Sequence, residues 1–270
     1  MRCHVVVALT VVTVLLIARA WWRARSSAAR ARALATRAPA WPLQSALSLD
    51  VVVTTTDGHD ADAVTLVTEA IRAYGPGPSD RCRVFVYHKG DGQDAKRAPR
   101  HDNLERTLRR SVPSLERVRV IPSANVGREQ HSCFRHIDEH YDDMADVIVF
   151  LPANTQRRTR VDFVRSIRRD KSTQFIQRGR LLRNFAGFTQ PSYMGRPLQR
   201  AHPRGLVNWT RAHVGVWDAS LPSSHEGAFK TSRDRVRQRA RGFYDTIARL
   251  LSTPEPEAIH YTERLVALLF

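Results

Sequence analysis

Cysteine is scarce: the 270 residues hold three, at Cys3, Cys82 and Cys133. No two of them have the spacing of a zinc ligand set, which excludes a zinc ribbon or finger. A Cys82–Cys133 disulfide and two buried free thiols are both compatible with the sequence. Lysine is also rare, at four of the 43 cationic residues. Low-complexity sequence is absent, and 42% of residues are hydrophobic, as in a globular chain. That length and composition suit one folded domain with a core of its own, plus a tail.

Acid is missing from two blocks. Residues 1–40 hold seven Arg and no Asp or Glu, and residues 155–200 hold twelve Lys/Arg against Asp162 and Asp170. The rest of the chain nearly cancels, so the net charge of +17 is two local features and not a uniformly basic body. A basic segment attracts phosphate, nucleic acid or an anionic membrane.

One long apolar run is present, at the start. Val5–Ala18 is interrupted only by Thr10 and Thr13, and Trp21–Trp22 follow. A bilayer crossing needs roughly 20 apolar residues. Cys3 through Trp22 reaches that length, with Arg19 snorkelling and the Trp pair at the interface. Residues 1–22 are therefore expected to be a membrane segment, a signal-anchor or else a cleaved signal peptide. Residues 3–22 would make the protein a single-pass membrane protein, of the secretory pathway or of a virion or host membrane. The arginines after the run leave its orientation open. Residues 23–47 read as a basic stem or linker, and residues 48–270 as the folded domain.

Strands are predicted at Leu49–Val53, Arg83–His88, Val118–Ile121 and Val147–Leu151. Helices alternate with them at Ala61–Tyr74, His101–Arg110 and Arg128–Tyr141. Apolar strands alternating with helices imply an α/β, Rossmann-like fold with a mostly parallel sheet covered on both faces. Further on, a basic helix is expected around Val161, Val164 and Ile167, and residues 172–227 read as irregular. A strand is expected at Ala228–Thr231, with helices at Asp234–Leu251 and Glu257–Phe270.

Three stretches carry a resemblance: VFVYHKG at Val84–Gly90, NVGREQHSCFRHIDEHYDDMADVIVFL at Asn125–Leu151, and GAFKTSRDRVRQRARGFYDTIARLL with the terminal HYTERLVALLF. Together they resemble the domain of unknown function 3431 family, whose fold is related to the A-type glycosyltransferases. The resemblance covers about Leu49 to Phe270. It implies a glycosyltransferase-like protein with a nucleotide-sugar donor and a glycan acceptor, which the apolar segment at residues 3–22 would anchor to a membrane. A catalytically degenerate relative that binds a glycan or nucleotide, or serves as a structural membrane protein, is the alternative. A-type enzymes hold a divalent cation, Mn or Mg, on the donor diphosphate with an Asp-x-Asp motif after the fourth strand. Here that position reads Leu151-Pro152-Ala153-Asn154, without an acid.

In an open α/β sheet a ligand sits beyond the carboxyl ends of the strands. The loops there supply Asp57, Asp60 and Asn154, the first and last being expected nucleotide-sugar contacts. Asn125-Val126-Gly127-Arg128-Glu129 opens a helix. Gly127 would let backbone approach a ligand, helix N–H groups favour phosphate, and Arg128 can grip a diphosphate bidentately. Glu129 would orient a sugar hydroxyl or Arg128. The same residues also make an ordinary capped helix start. Glu226 is the candidate base for deprotonating an acceptor hydroxyl, and Arg233 a further donor contact. His136 and His140 stand one turn apart, but no third ligand is spaced to complete a metal site. The basic block suits donor phosphates, an anionic acceptor or a membrane surface. Its Phe175, Phe185, Phe188 and Tyr193 would also suit stacking on single-stranded nucleic acid, a role that a membrane anchor disfavours. Asn208-Trp209-Thr210 is a glycosylation sequon, meaningful only in the secretory lumen.

Overall fold

The computed structural model of the protein describes residues 47–75, 80–90, 94–153 and 158–270. The predicted membrane segment, nearly all of the predicted stem, and Asn154 lie outside them. Among the described residues no helix is long and apolar enough to cross a membrane.

Four strands run parallel: β1 (Leu49–Thr56), β2 (Cys82–Gly90), β3 (Arg117–Ala124) and β4 (Val147–Pro152). Two more, β5 (Gln174–Leu181) and β8 (Pro222–Ser232), extend the sheet antiparallel, giving the order β3-β2-β1-β4-β8-β5. Between them in sequence, β6 (Ser192–Tyr193) and β7 (Arg196–Pro197) form a small hairpin. The fold is thus the expected mixed α/β arrangement with a mostly parallel sheet.

Alternation along the strands explains why both faces are covered. Val51, Val53, Val84, Val86, Val147 and Val149 point to one face. There they meet α1 (Asp60–Tyr74), α2 (Asp94–Ser111) and α4 (Arg158–Arg165) through Leu66, Val67, Leu108 and Val164. Val52, Phe85, Tyr87, Ile148 and Phe150 point to the other. That face is filled by α3 (Arg128–Glu139), α5 (Leu206–His213), α7 (Arg241–Leu250), α8 (Ala258–Arg264) and α9 (Val266–Leu269). Phe150, Phe229 and Phe270 stack in series, with ring centroids 4.7 and 5.1 Å apart. Cys82 and Cys133 are both buried and free.

Several predicted elements differ in extent. The helix expected over Asp234–Leu251 is two, α6 (Arg233–Val236) and α7. Tyr141 donates its hydroxyl to the Arg239 carbonyl at 2.6 Å, and Tyr244 donates to that of Val236 at 2.8 Å. These side chains take up carbonyls that a continuous helix would have bonded internally. The final helix also divides, at Leu265. Residues 172–227 contain β5, the hairpin, α5 and the start of β8, and the pairing of β5 with β8 that orders the two ends of this stretch is between segments far apart in sequence. Phe175, Phe185 and Phe188 pack against the core instead of lining a surface for bases to stack on.

Candidate functional site

The order β3-β2-β1-β4 reverses at β1, and the crevice beyond the carboxyl ends of β1 and β4 is where such sheets hold ligands. A cavity of about 280 Å³ lies there. Its walls are Thr54, Thr55 and Thr56 of β1, Lys89 of β2 and Pro152 of β4, with Asn125, Arg128 and Glu129 at the start of α3. Tyr193 and Met194 of the hairpin, and Glu255 before α8, close it.

Backbone strain converges on this cavity. Among the described residues four non-glycines have positive φ: Arg128 at 45°, Met194 at 50°, Glu255 at 51° and Glu226 at 65°. Three line the cavity. The fourth adjoins Gly227, which abuts Glu129. Each such residue costs on the order of 1–3 kcal/mol, and they gather where function holds them.

Arg128 is clamped. Its guanidinium lies 4.0 Å from the Tyr193 ring centroid, and Nη2 donates to Glu255 at 2.5 Å. The stacking and the ion pair fix the plane of the fork and leave N–H donors for a ligand. Glu129 is half-buried at the cavity wall. Burial raises its carboxyl above the usual range, the charge of Glu263 adds to this, and Arg160 and Arg128 oppose it. Lys89 is 2% exposed. Its Nζ donates to the Val126 carbonyl at 2.7 Å and lies 3.4 Å from His131 Nδ1. Burial lowers the Lys89 amine to about 8. Burial, and the neighbouring Lys89, lower His131 to about 4.

The structure thus brings Asn125, Arg128 and Glu129 together at this cavity, whose walls do not include Gly127, Asp57, Glu226 or Arg233, while Asn154 lies outside the described residues. Gly127 is not among the cavity's walls. It caps α3 at φ 56°, and its N–H donates to the Thr253 carbonyl at 3.1 Å. A Cβ there would strike the Leu251 carbonyl, so the backbone that approaches Gly127 is the protein's own. Asp57 accepts from Arg100 at 2.8 Å and sits 3.6 Å from His88, outside the cavity wall. Glu226 is buried beside the cavity, accepting from Thr159 Oγ1 at 2.9 Å with Arg160 Nε at 3.8 Å. Its own N–H donates to Glu263 at 2.6 Å. Glu226 does not line the cavity, so the acid on that wall is Glu129. Arg233 lies at the opposite edge. β8 runs antiparallel to β4, so the residue after Ser232 reaches the amino end of β4, where Arg233 pairs with Asp146. His136 is fully buried at 3.2 Å from the Tyr87 hydroxyl, with its ring 4.7 Å from Phe85. Asn208 is exposed on α5, and the Thr210 hydroxyl is buried against the Leu206 carbonyl at 2.6 Å.

Lys89, Met194 and Glu255 were not singled out by the sequence, and Tyr193 was singled out only as a stacking aromatic of the basic block. Lys89 had a readable signal, as a cation at the carboxyl end of a buried parallel strand. The others come from loops whose approach to β1 depends on the whole fold.

A divalent cation, implied by the resemblance, is poorly matched by these side chains. Among the described residues no group of three His, Cys, Asp or Glu can hold a metal ion. Residues 151–158 contain no acid, Glu255 is committed to Arg128, and Arg100 bridges Asp57 and Asp60 at 2.8 and 2.6 Å.

No family model matches the chain, and no curated protein sequence does. Among solved structures it is similar to the bifunctional glycosyltransferase WbbM (9% identity, TM-score 0.40), covering 77% of this chain and 35% of that one. It is also similar to the galactosyltransferase LgtC, solved with donor and acceptor sugar analogs (13% identity, TM-score 0.32, covering 80% and 70%). Mouse xyloside xylosyltransferase 1 is a third (12% identity, TM-score 0.32, covering 82% of each chain). The chain spans about a third of the WbbM chain. At these scores and identities the likenesses assign neither fold family nor activity to it.

Proposed function

We propose that this protein is a glycosyltransferase-like member of the domain of unknown function 3431 family that binds a nucleotide-sugar donor in the cavity at the β1–β4 crevice. Residues 3–22 hold it to a membrane. The observation that carries the reading is the convergence of strained backbone and clamped Arg128 on the one crevice where this sheet order places ligands. In the transfer an acceptor hydroxyl oxygen attacks the anomeric carbon. The bond from that carbon to the diphosphate oxygen breaks with its electron pair on the diphosphate, and the hydroxyl proton passes to Glu129. A carboxylate raised above its usual range is a stronger base than an ordinary one, which suits that task.

One observation favours the degenerate alternative, a binding protein without turnover: Pro152 and Ala153 stand where A-type enzymes carry an acid. Incubating the full chain in detergent with a panel of nucleotide sugars, and following nucleoside diphosphate release, separates the readings. Release that is lost in Arg128→Ala supports transferase chemistry. Binding without release supports the degenerate protein. Neither binding nor release contradicts both.

A further inference from the structure

Two lysines are wholly buried among the described residues, and they differ in their partners. Lys230, 0% exposed, donates to the Asp170 carboxylate at 2.6 Å and to two backbone carbonyls. Its charge is neutralised within the scaffold, on β8. Lys89 contacts a neutral carbonyl and the imidazole of His131, which burial keeps neutral. Among the described residues none forms an ion pair with it. A buried ammonium without a counter-ion is costly, and buried charges are otherwise paired or bound to a ligand. Lys89 lines the cavity. Val126 and His131 take two of the three N–H donors an ammonium carries, leaving one for an occupant.

Arg128 follows Val126 by two residues and lines the same cavity, so the two cations share one wall at the start of α3. Its pairing with Glu255 uses Nη2. The wall also carries the N-terminus of α3, a helix of twelve residues whose dipole favours an anion. The acids that would hold a divalent cation on a diphosphate are meanwhile missing from the loop after β4 or committed to arginine.

Resting on the nucleotide-sugar reading above, we propose that Lys89 and Arg128 bind the donor diphosphate in place of a divalent cation, so that nucleotide binding here is metal-independent. The ammonium supplies a point charge and the guanidinium a planar fork, which together meet the oxygens of two adjacent phosphoryl groups. The diphosphate in turn gives Lys89 a directly bonded counter-ion, beyond the charge of Glu129 that acts on it from the same cavity.

Isothermal titration of the full chain in detergent tests this, with UDP, GDP, ADP and inorganic pyrophosphate as probes, in EDTA and in Mn²⁺. The expected result is binding in EDTA with Kd within about twofold of that in Mn²⁺. Lys89→Met is expected to weaken binding at least tenfold while melting no lower than the wild type, because it removes an unpaired buried charge. Arg128→Lys, which keeps charge without the fork, is expected to weaken it as well. Binding seen only in Mn²⁺ overturns the proposal and leaves the nucleotide reading standing, as does unchanged affinity in a folded Lys89→Met. Absence of binding by every probe under both conditions overturns the nucleotide reading itself.

Discussion

The carboxylate of Glu129 lies against the bare Cα of Gly227: a Cβ built at Gly227 would come within 2.7 Å of Glu129 Oε1 and 2.8 Å of its Cγ. Gly227 also has φ 66°. Gly227→Ala is therefore expected to cost about 2–3 kcal/mol, part from the left-handed backbone and part from displacing Glu129. Gly195→Ala is the control, since Gly195 has φ 77° but a methyl group there would meet nothing within 4 Å. It should cost only about 1 kcal/mol. Thermal melts of the two variants check the difference. Gly227→Ala alone should also weaken nucleotide binding.

Lys89 makes stability depend on pH with a definite sign. Its ordinary value is 10.5, and burial lowers it to about 8 in the folded protein. Between those values the unfolded chain binds a proton that the folded chain has released, so this group's contribution to stability rises with pH. Below pH 8 the cost of the buried ammonium is fully present, on the order of 3 kcal/mol. The groups facing it are His131, Glu129, Cys133 and Arg135, and comparison with Lys89→Met cancels most of their own titration. Urea unfolding should show Lys89→Met more stable than the wild type at pH 7, with the gap closing by about pH 10.

Tyr193 holds the Arg128 guanidinium 4.0 Å from its ring centroid. The hairpin carrying it is two residues per strand, so Tyr193→Ala should leave the melting temperature nearly unchanged. Nucleotide affinity should fall about threefold to tenfold, matching the usual worth of such a contact of about 1 kcal/mol. Titration calorimetry reads this directly. A large stability loss with no affinity change would make the stack structural only.

At the amino edge of the sheet Asp50 is fully buried, taking two hydrogen bonds at 2.7 Å from Arg83 and one at 3.0 Å from the Ala145 N–H. Asp50→Ala would leave Arg83 without its buried partner, at a cost of about 3–5 kcal/mol. Nucleotide affinity at the opposite edge should not change in protein that remains folded. Denaturant titration and calorimetry on one preparation check both parts.

The sheet was legible because β1, β2 and β4 are short apolar runs, and a strand buried on both faces has to be apolar throughout. Asn125, Arg128 and Glu129 were legible because a glycine-led helix start beyond a strand is a recognisable place for an anion. Direction along a strand was not legible. Arg233 follows a strand just as Asp57 does, yet β8 runs antiparallel and carries it to the far edge. Nor was Gly127, whose need for a bare Cα arises from the Leu251 carbonyl, more than a hundred residues away in sequence. Tyr193, Met194 and Glu255 reach the cavity through loops set by long-range packing, and no local pattern announces them.

Hydrogen–deuterium exchange of the full chain, with and without saturating nucleoside diphosphate, tests the placement of the site most directly. Slower exchange is expected at residues 125–130 and 192–196 and at the ends of β1 and β2, with 81–83, 143–146 and 232–234 unchanged. Protection confined to the amino edge at Arg83 and Arg233, or none at the β1–β4 crevice, would contradict that placement.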